Sequence, residues 1–285
     1  MASRADLHTH SRLSDGVLSP TELVELAYRR GVRVLALTDH DITDGLPEAF
    51  AAARRYPDFT LIPGIEMSVD VPGNEVHILG YFIDWQDKTF QAELARLCSS
   101  RLDRGRKMVE RLRELGMPLS WERVQEIAGV GAVGRPHVAQ AMREAGYVTT
   151  INEAFDRYLA RNAPAYMPHE KKTPEEVVAM LGQVGGLPVL AHPRDLADRP
   201  DLLRRLKAVG LVGMEVYYQD YAPEDIQSLL AEARALDLLP LGGSDYHGLG
   251  GPQQREPGDI PLPDEPVQHL LEMAERRGVL ARALA

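Results

Sequence analysis

The sequence predicts an α/β fold: a closed or nearly closed parallel (β/α)7 barrel, with a helical insertion after its fourth strand. Three observations point to it. Short apolar strand-like runs alternate with amphipathic helical patterns at both ends of the chain. Between them, Thr89 to Lys171 has helical periodicity only. Metal-capable side chains recur where the strand-like runs end, and a barrel gathers its strand ends at one mouth. An open doubly wound sheet, the competing arrangement, would spread those residues along an edge.

The elements follow in order. Ala5 to Leu7 is a short strand. Ser19-Pro20-Thr21-Glu22 is a capping box with proline at the first helical position, and the helix it starts stops at Gly31. Val32 to Leu37 is a continuous apolar run, a strand buried on both faces. A helix over Leu46 to Arg55 leads to strands at Thr60 to Ile65 and Val76 to Phe82, with Pro72-Gly73-Asn74 as a turn between them. Leu94, Leu97, Leu102, Val109 and Leu112 then mark a long amphipathic helix ending near Gly116. Shorter helices are predicted over Trp121–Ile127, Pro136–Ala145 and Ile151–Leu159. Thr173-Pro174-Glu175-Glu176 is a second capping box. Strands at Pro188–Ala191, Gly213–Val216 and Leu239–Gly242 follow, separated by helices starting near Pro200 and Pro223. A last helix covers Pro266–Arg277. The expected division is a barrel of residues 1–88 and 172–285 and an insertion of residues 89–171.

Composition narrows the function classes. With 44% hydrophobic and 26% charged residues, the 285-residue chain reads as globular and not disordered. No apolar run approaches the ~18 residues of a membrane span, and the N-terminus lacks an apolar signal core. A cytoplasmic protein is expected. Cys98 is the single cysteine, so a multi-thiolate zinc site is excluded and any metal must be held by His, Asp and Glu. The net charge of −10 argues against a protein that coats nucleic acid.

Six of the nine histidines stand at predicted strand ends. The first strand ends in His8-Thr9-His10, followed by Asp15; residues two apart face the same way, so His8 and His10 can grip one ion. The second ends in Asp39-His40 and the third in Glu66. His77 opens the fourth, His192-Pro193 ends the fifth, and Ser244-Asp245-Tyr246-His247 ends the last. One such histidine would be read as a hydrogen-bonded core or surface group. Six under one topology point to a metal centre, and imidazole with carboxylate suits Zn, Fe or Mn.

The segments Asp6-Leu7-His8-Thr9-His10, Thr38-Asp39-His40-Asp41, Pro63-Gly64-Ile65-Glu66, Ala191-His192-Pro193 and Gly243-Ser244-Asp245-Tyr246-His247 resemble the PHP-domain phosphoesterases, named for polymerases and histidinol phosphatase. The resemblance implies a distorted seven-stranded barrel with a centre of three divalent metal ions, Mn, Zn or Fe. Carried over, His8, His10 and Asp245 would hold one ion and Glu66 would bridge it to a second. His77 and His192 would complete the second site, and Asp15, His40 and His247 would hold the third. A hydroxide generated by the metals is the expected nucleophile. Asp39, His10 and His247 are the candidates for assisting proton transfer.

Residues 89–171 carry 13 Lys and Arg against 10 Asp and Glu, while the rest of the chain is strongly acidic. Arg101, Arg104, Arg106 and Lys107 read as the solvated face of an amphipathic helix. Gly134-Arg135-Pro136-His137 is the sharper feature: a guanidinium at a helix start can clamp phosphate bidentately. This segment resembles one PHP subgroup acting on nucleoside 3′,5′-bisphosphates or on short RNA from the 5′ end. Arg135, His137 and, less directly, Lys171 would then contact the substrate. The expected activity is hydrolysis of a phosphate from a small nucleotide. The alternatives are a 5′-to-3′ exonuclease on short RNA or DNA oligonucleotides, a histidinol-phosphate-type phosphatase, and a non-catalytic metal-binding module. Nothing in the sequence points to a membrane or a protein partner.

Overall fold

The computed structural model describes residues 3–71, 74–129, 133–168, 172–196, 198–219, 221–250 and 254–279. Seven strands form one sheet in chain order: β1 (Ala5–Asp6), β2 (Val34–Leu37), β3 (Thr60–Val71), β4 (Asn74–Tyr81), β5 (Leu187–Leu190), β6 (Gly213–Tyr218) and β7 (Leu239–Gly243). Helices α1 (Pro20–Arg29) and α2 (Leu46–Ala53) connect the first three strands. α7 (Pro174–Gln183), α8 (Arg199–Ala208), α9 (Pro223–Ala235) and α10 (Asp264–Arg276) serve the second half. Between β4 and α7 lie α3 (Lys88–Glu114), α4 (Trp121–Ala128), α5 (Arg135–Glu144) and α6 (Ile151–Ala154), the last running into a π-helical turn, Phe155–Leu159.

The barrel is nearly closed. Its first and last strands meet just beyond their ends, where Thr9 bridges Tyr246 in parallel and the Asp245 amide donates to the His8 carbonyl at 2.9 Å. Asp6 fastens the seam: its carboxylate accepts from the Ser244 and Gly258 amides, each at 2.9 Å. Gly243 permits the close approach, since a Cβ there would come within 2.5 Å of the His8 backbone nitrogen.

One expectation is corrected. The sheet is not wholly parallel: β4 runs antiparallel to both β3 and β5. The reason is the connection. β3 ends at Val71 and β4 starts at Asn74, which suffices for a hairpin, whereas a parallel crossover needs a dozen or more residues. Both strands are also longer than predicted. Glu66 and His77 therefore lie inside a long ribbon, with His77 opposite Ser68 in register.

Two apolar regions matter for the site. Leu7, Ile62, Leu79, Tyr81, Val189 and Leu241 belong to a core within the barrel. Met108, Leu112, Val124, Val138, Met142 and Leu159 form a separate core of the helical segment. α3 ties the helical core to a third cluster, on the barrel: Phe90, Leu94 and Leu97 pack in a core with Ile65, Ile78 and Leu181, and Met108 and Leu112 with the helices. At roughly 1.5–3 kcal/mol for each fully buried side chain, the first three anchor the helical segment firmly to the barrel. Among the described residues, no helix is long and apolar enough to cross a membrane.

Candidate metal centre and the cavity above it

The strand ends converge as a barrel requires. Glu66, 1% exposed, lies at the centre. Its Oε2 is 3.1 Å from His8 Nε2, 3.1 Å from His10 Nε2 and 3.3 Å from His40 Nδ1. Its Oε1 faces the other way, 2.8 Å from His77 Nδ1 and 3.3 Å from His192 Nε2. Asp245 Oδ1 lies 3.3 Å from His8 Nε2 and 3.1 Å from His10 Nε2. Asp15 sits apart, 3.2 Å from His247 Nε2 and 3.6 Å from His40 Nε2.

Three groups are close enough to hold an ion: His8, His10, Glu66 and Asp245; His40, Glu66 and His77; and His10, Asp15, His40 and His247. The chemistry of the donors fits a metal. His8 Nε2, both nitrogens of His10, His40 Nδ1, Asp15 Oδ1 and Glu66 Oε2 are buried without a hydrogen-bond partner. Buried polar atoms are nearly always satisfied, and converging lone pairs from imidazole and carboxylate are what a divalent cation satisfies. All nine sequence-predicted ligands lie in this cluster; His192 joins it through His77 Nδ1 at 3.2 Å and through Glu66.

The electrostatics agree with mutual dependence. Burial alone would raise the Glu66, Asp15 and Asp245 carboxyls, yet the surrounding imidazoles hold each well below its usual range. Burial would lower His247, but Asp15 and Asp245 push it up to about 10. His40 goes the other way, to about 3, because burial outweighs Glu66 and Asp15. Backbone strain gathers here too: His192 (φ 28°), Asp245 (φ 51°) and Asp41 (φ 54°) adopt left-handed conformations that cost non-glycine residues.

A supporting layer escaped the sequence reading. Glu215 on β6 is fully buried; its Oε1 meets His8 Nδ1 at 3.0 Å and its Oε2 accepts from the His192 amide at 2.8 Å. The Tyr218 hydroxyl donates to Asp245 Oδ2 at 2.6 Å. His247 Nδ1 lies 2.9 Å from the Asp245 carbonyl, so it donates there and leaves Nε2 as the electron-pair donor. The only available signal for Glu215 was a carboxylate inside the apolar Met214–Val216 run. Asp39 accepts from the Ser11 amide at 2.7 Å, the Ser11 hydroxyl at 2.8 Å and the Ser14 hydroxyl at 2.6 Å, and belongs to none of the ligand groups.

Above the centre lies a cavity of about 250 Å³. Asp15, His40 and His77 line one side, and Arg101, Arg104, Arg135 and Phe155 line the other. The solvated-face reading of Arg101 and Arg104 is thereby corrected. Arg104 is 7% exposed and donates to the Met167 carbonyl at 2.8 Å. Arg101 pairs with Asp41 and donates to the Ser68 hydroxyl at 2.6 Å. The long α3 turns these residues inward because its C-terminal half packs over the mouth. Arg135, at the start of α5, lies over the Phe155 ring with its guanidinium carbon 5.6 Å from the centroid. His137 lines the cavity as well, yet its Nδ1 accepts from the Gly134 amide at 2.9 Å, closing the first turn of the same helix. Lys171 lies outside the described residues.

Comparison with known proteins agrees with the geometry. The PHP domain pattern matches residues 6–103. The chain is 34% identical over 276 residues to a 3′,5′-nucleoside bisphosphate phosphatase from Chromobacterium violaceum, covering 94% of this chain and 96% of that one. It is 36% identical over 247 residues to the 5′-3′ exoribonuclease Rnm of Salmonella typhimurium, covering 85% and 84%. Among solved structures, a protein from Bifidobacterium adolescentis assigned as a metal-dependent phosphoesterase superposes with a TM-score of 0.86 at 32% identity, over 96% of this chain and 97% of that one. Likeness of this extent, running through the barrel and the helical segment alike, makes the chain a member of the PHP-domain metal-dependent phosphoesterases, and so a hydrolase.

Proposed function

We propose that this enzyme removes a phosphate from a small nucleotide of the nucleoside 3′,5′-bisphosphate kind. The observation that carries this reading is the cavity, with candidate metal ligands on one side and three arginines on the other. A phosphate ester bound there would meet any bound ions on one side and the Arg104 and Arg135 guanidiniums on the other, the charge of Arg101 being shared with Asp41. At about 250 Å³ the space is below the ~300–1,000 Å³ of typical ligand pockets, which favours a mononucleotide over a strand. The names of the two relatives support both a bisphosphate and an oligonucleotide substrate, and the cavity favours the first.

We assign three divalent ions, with Mn, Zn and Fe all compatible with the donors. His8, His10, Asp245 and Glu66 would hold one of them, and Glu66 with His77 and His192 would hold a second. His10 Nε2 is committed to the first group, which leaves Asp15, His40 and His247 for the third. Bound ions would lower the pKa of water to about 7 and neutralise charge on the phosphate. The chain does the rest. Glu215 and Tyr218 fix the ligands, and Arg135 orients the substrate with two parallel hydrogen bonds. With its oxygens taken by Ser11 and Ser14, Asp39 anchors the loop that carries Asp15. His10 and His247 act as ligands, and neither carries the transferred proton.

The test is phosphate release by enzyme reconstituted with Mn, comparing a nucleoside 3′,5′-bisphosphate, its 5′-monophosphate and a 5′-labelled short RNA. The bisphosphate should give the highest kcat/KM. Faster release of mononucleotides from the RNA would establish the exonuclease instead.

A further inference from the structure

The ligands of the three groups are not supported alike. His8 and Asp245 are braced from within the barrel, by Glu215 and Tyr218. The turn that carries His40 is braced from the helical segment. Arg101 of α3 reaches down to Asp41, the residue after His40, and to Ser68, two residues beyond Glu66. Asp41 is held on every side. Its Oδ1 accepts from the Ser68 amide at 3.1 Å and its own amide donates to the Glu66 carbonyl at 2.9 Å. Both partners are nearly buried, with side chains 14% and 4% exposed. Across the cavity, His137 of α5 lines the same space as Ser14 and Asp15.

We infer that the helical segment completes the outer metal subsite: Arg101, through Asp41, is a positioning residue for His40. The physical reason is the turn at His40-Asp41. Asp41 holds a left-handed backbone that needs external support. Arg101 provides it by neutralising a carboxylate that would otherwise be buried without a counter-charge. Released, the turn would relax and His40 would lose its aim at Asp15. The barrel-braced ligands would feel little of this. Occupancy of one subsite is thereby tied to the same helix that roofs the substrate cavity.

This inference rests on the outer group being a metal subsite, and the experiment separates the two ideas. Mn²⁺ is titrated calorimetrically into the whole metal-free chain and into Arg101→Met, Arg101→Lys and Asp41→Asn. Melting temperatures of the metal-free proteins are recorded alongside. Substitutions around metal ligands cost about 10–100-fold in affinity. The expected result is a loss of that size confined to one binding step in Arg101→Met and Asp41→Asn, with partial recovery in Arg101→Lys. Unchanged affinities in all variants would overturn the inference while leaving the metal assignment standing. Equal weakening of every step, with earlier melting, would reduce Arg101 to a general packing role. A wild-type chain that lacks a third binding step would remove both ideas together. If Arg101→Met fails to fold, Arg101→Lys and Asp41→Asn still decide the matter.

Discussion

The barrel mouth and the helical segment are built by opposite routes. The mouth draws its candidate ligands from positions 8 to 247, and only barrel closure brings them together. The helical segment is one continuous stretch with its own apolar core, and its arginines come from two neighbouring helices. The mouth is acidic and imidazole-rich, while the roof is cationic. The difference separates two tasks. On the proposed function, chemistry common to phosphate esters would belong to the mouth, and choice among esters to the roof. Substitutions in the mouth should therefore damage every substrate, whereas those in the roof should discriminate.

The largest effect is expected at Glu66. Glu66→Gln keeps the shape and removes the charge shared by the two sides of the cluster. Substitutions one layer out cost ~10–100-fold, so loss of a bridging ligand should exceed ~100-fold. It should fall equally on nucleotides and on p-nitrophenyl phosphate. Metal analysis should show more than one ion lost per chain. Full metal content with near-normal turnover would refute the bridge.

Arg135 tests the other half of the comparison. Arg135→Ala should leave metal content and melting temperature unchanged. A lost charge-assisted contact is worth about 1.5–3 kcal/mol, or roughly a 10- to 150-fold drop in kcat/KM. The drop should be larger for the bisphosphate than for p-nitrophenyl phosphate, which lacks a nucleoside to orient. Arg135→Lys should recover only part, because an ammonium cannot form the planar fork. Equal losses on both substrates with earlier melting would make Arg135 a structural residue that stacks on Phe155.

How much of this was legible in the sequence follows the same division. Helix starts were readable because Ser19, Thr173 and the prolines after them state the cap chemically. The cluster was readable because six histidines and several carboxylates recur at strand ends, although any one of those histidines alone reads as a hydrogen-bonded core or surface group. The direction of β4 does not follow from the alternating rhythm of strands and helices; the short connection between Val71 and Asn74 decides it. Arg101 and Arg104 were misread for a different reason. Helical periodicity tells which residues share a face, not whether a neighbouring body covers the polar one. Glu215 was hidden because a single carboxylate in an apolar strand has no partner along the sequence; its partners, His8 and His192, lie 207 and 23 residues away.

The smallest effect concerns His137, where two readings of one residue meet. The sequence suggested a substrate contact. In the structure its Nδ1 accepts from the Gly134 amide. Glutamine at this third helical position can reach back to the same amide, as it does in a capping box. His137→Ala should cost about 0.5–2 kcal/mol, the usual value of a helix cap. At ~2–4 °C per kcal/mol for a chain of this size, melting should fall by a few degrees. His137→Gln should recover most of that loss. Both variants should lower kcat/KM by similar small factors for the bisphosphate and for p-nitrophenyl phosphate, since the defect lies in how the roof is held. A loss confined to the bisphosphate, with melting unchanged and no recovery by glutamine, would return His137 to the substrate. It would also move the line between roof and chemistry one residue along α5.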